Sequence, residues 1–447
     1  MSKRLIAGGA AAAVLVVAVL VLGREAERAA VAPSGPAPPA EAEEAPGLLY
    51  GRVVTYGGGV YEGRLRWGGG EEAFWSDTFN GVKDENPWAA HVPPERLAGA
   101  ERPATFLGFR LPWGGAEADL ERPFMVRFGD IERIEARGDG VRGVVEDGAE
   151  FDPEVRVTLK SGAVFRLDRL EASDFDDGVR VWDRQRGVVD LSPRRIRLIE
   201  FLPTARVRGA PDRLHGTVRT RRGEAFTGAL QWNRESAVGS DGLVGQTAGG
   251  DALRLPFGDI RSIQRREGGL RVALRDGREV HVTGASADRG VYVDDPRYGR
   301  VLVSWSALDR VDFGPPHGGR GSGPAYGDFA AGRPLVGTVV TRDGRRTGGR
   351  LVYDLDESET TETLDAPAGG VDYSVPFGQI AAVEVPETGR VRVVLQGGEV
   401  VELERAGDLG EGNGGLLVFP DGGDRPEYLP WDEVERLDFD HPESEGA

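Results

Sequence analysis

The sequence predicts an all-β protein: small five-stranded barrels in three tandem repeats of two half-units each, preceded by one N-terminal transmembrane or signal helix. Three observations carry this expectation. The 447 residues include 67 glycines and 28 prolines, about a fifth of the chain, which suits many short strands joined by tight turns and disfavours long helices. Alternating apolar residues, as in Arg271-Val272-Ala273-Leu274-Arg275, have the period of a half-buried strand. The same strand openings also recur three times along the chain.

At the N-terminus, Lys3-Arg4 precedes Leu5 to Gly23, nineteen residues without a charge. As a helix this segment reaches about 28 Å, enough to cross a bilayer core. Positive charge stays on the cytoplasmic side, so the chain after Gly23 is expected to face outward. The alternative is a cleaved signal peptide, whose apolar core runs about 7 to 15 residues. The longer run favours a retained anchor in the inner membrane, and export follows from either reading. Residues 24–46 are mainly Ala, Glu and Pro, with Pro33, Pro36, Pro38, Pro39 and Pro46 and no aromatic. Such a stretch buries too little apolar surface to offset its ordering entropy, so it reads as a disordered, solvated spacer.

Composition closes several function classes. With no cysteine there are no disulfides, thiolate metal sites or cysteine nucleophiles. The 73 acidic and 55 basic side chains give a net charge of −18, which argues against nonspecific binding to nucleic acid or anionic lipid.

Self-comparison sets the organisation. Leu49-Tyr50-Gly51-Arg52-Val53-Val54-Thr55 recurs as Leu214-His215-Gly216-Thr217-Val218-Arg219-Thr220 and as Leu335-Val336-Gly337-Thr338-Val339-Val340-Thr341. A second strand follows at Gly63 to Trp67, Gly228 to Trp232 and Gly349 to Tyr353. The strongest motif is Phe128-Gly129-Asp130-Ile131, repeated as Phe257-Gly258-Asp259-Ile260 and Phe377-Gly378-Gln379-Ile380. Second halves open at Val155, Leu270 and Val391 and close at Phe201, Phe313 and Phe439. This register places repeats at 47–205, 212–316 and 332–441, with a Gly/Pro linker at 317–331. Gly51 to Phe128 spans 77 residues where Gly216 to Phe257 spans 41, so the first repeat carries an insertion at about 80–120. Long insertions in compact units are functional or disordered.

Within Gly268 to Phe313 the pattern gives five strands: 270–275, 279–283, 291–294, 300–304 and 309–313. Five strands in so short a span suit a small closed barrel, which removes aggregation-prone edges. In the Pro256-Phe257-Gly258-Asp259 turn, Pro256 fixes φ, Phe257 anchors the core and Asp259 is expected to cap the following N–H groups. Ile260 and Ile263 then point inward. Val218-x-Thr220, Gly223, Gly228-x-Leu230 and the later Phe257-Gly258-Asp259-Ile260-x-x-Ile263 resemble the Sm-like or SH3-like small-barrel pattern. The resemblance implies paired small barrels. Sm-like RNA binders carry an Arg-Gly pair before the last strand where this chain has Phe257-Gly258-Asp259, so RNA binding is not implied. The wider pattern is similar to uncharacterised exported bacterial repeat proteins.

No catalytic motif surrounds the isolated histidines His91, His215, His281, His317 and His441, and neither a catalytic set nor a cofactor is expected. Acidic loops at Asp174 to Gly178, at Asp288 with Asp294-Asp295, and at Asp408 to Asn413 lack EF-hand spacing, so they read as solvated turns and no metal is expected. Glu71-Glu72 and Asp356-Glu357 are the carboxylate pairs a glycosidase would need. Trp67, Trp232, Trp305 and Trp431 occupy repeated positions and read as core anchors. Trp88 and Trp113 belong to the insertion, with Phe106 and Phe109 nearby. These four form the candidate binding face, weighed against a small core of the insertion's own.

The expected function is a noncatalytic scaffold or protein-interaction module on the periplasmic or extracellular side of the envelope, with envelope proteins as partners. A cell-wall or extracellular glycan-binding module is the alternative, followed by a carboxylate-dependent hydrolase.

Overall fold

The structure, a computed structural model, describes residues 42–43, 45–68, 70–83, 86–93, 105–106, 109–110, 122–137, 143–144, 150–151, 154–168, 174–208, 212–233, 236–285, 289–314, 323–420 and 423–440. The apolar segment Leu5 to Gly23 lies outside them. Among the described residues no helix is long and apolar enough to cross a membrane. The described residues are all-β, with 56% of them in strands and no helix of seven residues or more among them.

Among the described residues, two-residue strands aside, each of three segments holds ten strands. The first holds β1 (Tyr50–Thr55), β2 (Val60–Trp67), β3 (Thr78–Lys83), β4 (Arg122–Arg127), β5 (Ile131–Arg137), β6 (Glu154–Leu159), β7 (Val164–Asp168), β8 (Val179–Asp183), β9 (Gly187–Leu191) and β10 (Ile196–Phe201). The second holds β11 (His215–Thr220), β12 (Ala225–Trp232), β13 (Gly242–Gln246), β14 (Ala252–Pro256), β15 (Ile260–Arg266), β16 (Gly269–Leu274), β17 (Glu279–Val282), β18 (Val291–Asp295), β19 (Gly299–Val303) and β20 (Leu308–Gly314). The third holds β21 (Val336–Thr341), β22 (Arg346–Tyr353), β23 (Thr363–Ala368), β24 (Val371–Pro376), β25 (Ile380–Glu384), β26 (Val391–Leu395), β27 (Val400–Leu403), β28 (Leu416–Phe419), β29 (Glu427–Leu429) and β30 (Val434–Phe439).

The antiparallel sheets follow one scheme. The first runs β9-β8-β2-β1-β10-β5-β6-β7-β3-β4. Exchanging its first five strands for its last five gives the same order reversed, so the two halves interleave about the β10–β5 pair. The five strands expected between Gly268 and Phe313 are present as β16 to β20, but they do not pair only among themselves. Strands β16 and β17 extend from β15, whereas β18 and β20 flank β12 and β11. The cause is local: the turn at Glu267-Gly268 joins β15 to β16 as a tight hairpin, with Arg266 opposite Gly269. That hairpin fastens the end of one half to the start of the next.

The repeated glycines follow from this pairing. A Cβ on Gly228 would lie 1.8 Å from the Asp294 carbonyl oxygen, and one on Gly63 would lie 2.0 Å from that of Trp182. Strands β2 and β12 therefore approach β8 and β18 too closely for any side chain there. The Phe-Gly turns are single helical turns at Phe128–Asp130, Phe257–Asp259 and Phe377–Gln379, each with its Phe buried. Ile260 and Ile263 are buried as expected. The expected Asp cap is not made: Asp130 instead takes Arg127 at 2.9 Å, and Asp259 is exposed. What holds each turn is its glycine N–H, which donates to Phe74, Gly239 and Thr360 carbonyls at 2.8–2.9 Å.

Segments two and three are fused. Hairpin β23–β24 adds to the second sheet, with β24 on β19 through Arg300 opposite Ser374 and Val303 opposite Val371. Their buried residues form one continuous core from Leu214 to Phe439, while the first segment has its own. The stretch assigned as a Gly/Pro linker also contains an anchor. Tyr326 packs in the first segment's core beside Phe74, its hydroxyl donates to the Ile131 carbonyl at 2.7 Å, and Lys160 donates to its carbonyl. The linker is therefore a strap that returns to the first segment before the third begins.

Candidate functional site

The insertion leaves the tip of hairpin β3–β4, and its first residues dock on the third segment. Asn86 accepts the Trp88 N–H at 3.1 Å, capping the short turn Pro87–His91, and its amide donates to the Leu355 carbonyl at 3.0 Å. The half-buried Trp88 ring stands edge-on to Phe419, 6.1 Å between centroids, with the Arg350 guanidinium 5.6 Å from its own centroid. Val92, Val352, Leu355 and Leu417 complete this cluster. Trp88 therefore belongs neither to a separate insertion core nor to a freely presented face: it joins the first segment to the third. In the backbone register of the two-residue strands Thr105–Phe106 and Phe109–Arg110, position 106 is opposite position 109. Trp113 lies outside the described residues.

The carboxylate pairs are occupied structurally. Glu72 lies 3.1 Å from Arg66 and 3.8 Å from Arg64, and Asp356 lies 2.6 Å from Lys83. Burial and then Asp77 and Asp174 push Glu71 up to about 8. Burial and the neighbouring Asp356, Asp408 and Asp354 hold Glu357 well above the usual carboxylate range. The acidic loops cap backbone: Asp174 accepts the Asn80 N–H at 2.7 Å, and Asp408 accepts that of Asp365 at 2.6 Å. Among the described residues no group of three or more His, Asp or Glu side chains is placed to hold a metal. Trp67 and Trp232 are core residues, stacked near Phe128 and Phe257, and Trp431 is buried beside Tyr353.

A second place was not anticipated. The three segments and the strap border a half-open cavity of about 340 Å3, the lower end of the range that holds small organic ligands. Trp75 and Met125 enter from the first segment, Asp294 and Arg300 from the second, Phe329 from the strap and Gln379 from the third. Burial, partly opposed by Arg300, pushes Asp294 up to about 7. Asp294 stood out in the sequence only as one member of an acidic loop. Trp75 and Arg300 had no local signal, because the cavity exists only once the segments have docked.

Comparison with family models, with curated proteins and with solved structures finds no match. The functional reading therefore rests on the chain's own geometry.

Proposed function

We propose that the protein is a noncatalytic, envelope-exposed scaffold whose function is contact with partner proteins. In this reading Leu5 to Gly23 anchors it in the inner membrane, residues 24–46 hold it off the surface, and 47–205, 212–316 and 332–441 form the displayed block. Each repeat is a pair of small SH3/Sm-like barrels. In the first repeat one comprises β1, β2, β8, β9 and β10, and the other comprises β3 to β7. The observation that carries the reading is the fusion of the segments through the β23–β24 hairpin, the Tyr326 strap and the Lys83 and Trp88 contacts. Tandem β units tied at several points make a rigid surface, and rigidity lowers the ordering cost of binding.

The contact surface is the insertion beyond its docked foot at Trp88, carrying Phe106, Phe109 and Trp113. Engagement of Trp88 by Phe419 and Arg350 favours this over a glycan platform, which needs an accessible ring. Photo-crosslinking from positions 106 and 113 in the native envelope tests it. Discrete protein adducts from each position, lost when Phe109 and whichever of Phe106 and Trp113 does not carry the crosslinker are changed to Ala, are expected. Adducts only with envelope polysaccharide, or adducts unchanged by those substitutions, would refute it.

A further inference from the structure

The central cavity has a composition that a passive seam between segments does not require. Most charged groups in its wall are consumed. Arg213 donates to Asp77 at 2.6 Å, Arg127 to Asp130 at 2.9 Å, and Asp295 accepts from Arg297 at 2.8 Å. Asp294 and Arg300 are the exceptions. They stand directly opposite one another on β18 and β19, where opposite charges ordinarily pair. Here they do not, because the guanidinium is drawn away: Nη1 donates to the Ser76 carbonyl and Thr78 hydroxyl, both at 3.2 Å, and Nη2 donates to Gln231 at 2.9 Å. Three of its five N–H groups are thus used on neutral acceptors. The Asp294 carboxyl lines the cavity and, among the described residues, takes part in no hydrogen bond or ion pair. A half-buried carboxyl without a partner, beside a guanidinium whose Nε is buried with no acceptor, is costly unless something completes them. The rest of the wall includes Trp75, Met125 and Phe329, which favour an apolar body over water alone.

We propose that this cavity binds a small zwitterionic molecule with an apolar body, the class that includes free apolar amino acids, its ammonium meeting Asp294 and its carboxylate meeting the remaining Nη2 N–H of Arg300. The apolar portion lies against Trp75, Met125 and Phe329. Because the walls come from all three segments and the strap, an occupant also ties the segments together, and binding raises the stability of the whole block. The assignment is independent of the scaffold reading.

Three probes sharing one aromatic body test the assignment on the full chain by isothermal titration calorimetry: L-phenylalanine, phenethylamine and 3-phenylpropionate. L-phenylalanine is expected to bind best, phenethylamine more weakly, and 3-phenylpropionate not measurably. Asp294→Asn should weaken L-phenylalanine at least tenfold. Met125→Trp, which fills the cavity and leaves both charged groups in place, should abolish binding and serves if Asp294→Asn does not fold. Absence of binding by every probe would overturn the proposal. So would preference for 3-phenylpropionate, or binding of L-phenylalanine unaltered in either folded variant.

Discussion

Lys83 Nζ lies 2.6 Å from Asp356 Oδ1 and 3.0 Å from Glu362 Oε1, joining the first segment to the third through a nearly fully buried ion pair. The same device appears at the junction with the second segment. Asp77 closes its own loop by accepting the Glu72 and Ala73 N–H groups, then uses its other oxygen on Arg213. Glu362 likewise accepts from Ser358 and Glu359 and then takes Lys83. A repeated loop-closing acid has become a dock wherever another segment supplies a cation.

Removing one member of such a pair leaves an uncompensated buried charge. Burial alone would lower the pKa of Lys83, but Asp356, Glu362 and Glu357 raise it overall, so its contribution persists through neutral pH and is lost only at strongly alkaline pH. Lys83→Met is expected to cost roughly 3–5 kcal/mol in urea unfolding at pH 7. A loss below about 1 kcal/mol, the range of an exposed pair, would contradict a buried role.

Tyr326 makes the strap part of the fold. Tyr326→Phe removes only the bond to the Ile131 carbonyl and should cost about 1 kcal/mol. Tyr326→Ala empties a core site and should cost about 3–5 kcal/mol. The alanine variant should also be cut within 323–331 by a protease that leaves the wild type intact. Equal resistance of the two proteins would show that the strap is held elsewhere.

The tight strand crossing predicts an unusual penalty for one methyl group. Gly228→Ala drives a Cβ into the Asp294 carbonyl, whereas a Cβ at Gly57 meets nothing within 4 Å. Loss of at least about 2 kcal/mol is expected for Gly228→Ala, with Gly57→Ala within about 0.5 kcal/mol of wild type. Denaturation of the two variants side by side decides the matter.

Buried carboxyls set a pH dependence of definite sign. Glu71 sits at about 8, Asp294 at about 7 and Asp365 at about 6, each raised first by burial. Each folded-state value lies above the unfolded one, so the folded protein binds more protons in the intervening window. The stability these groups allow is therefore greatest below their unfolded values and falls as pH rises toward 8. Glu71→Gln should be nearly neutral at pH 4 and stabilising at pH 8.5, by at most about 4–5 kcal/mol. A variant less stable than wild type at pH 8.5 would reverse the argument.

Features encoded locally were legible in the sequence. Alternation located β16 to β20 within a residue or two, and the Phe-Gly motif located its three turns, because burial period and turn geometry act over a few residues. Which half β18 joins was not legible, since the choice is made between partners some sixty residues apart, Leu230 on β12 and Val293 on β18. The cavity was invisible for the same reason: Trp75 and Asp294 share a wall only after docking. Tyr326 was hidden by its Gly- and Pro-rich surroundings, although Tyr326 and Phe329 are aromatics in a stretch that otherwise reads as a spacer. Trp88 was recognised as special, but its neighbour Phe419 lies in the third segment.

Because β24 completes the flank of β19, a ribosome that has delivered only the first two segments has delivered an unfinished sheet. Until residues 363–376 emerge, Val301 and Val303 on β19 lack the strand that later covers them, and an uncovered strand recruits whatever extended chain is near. Chains terminated prematurely between residues 316 and 360 should therefore self-associate more readily than shorter or complete ones.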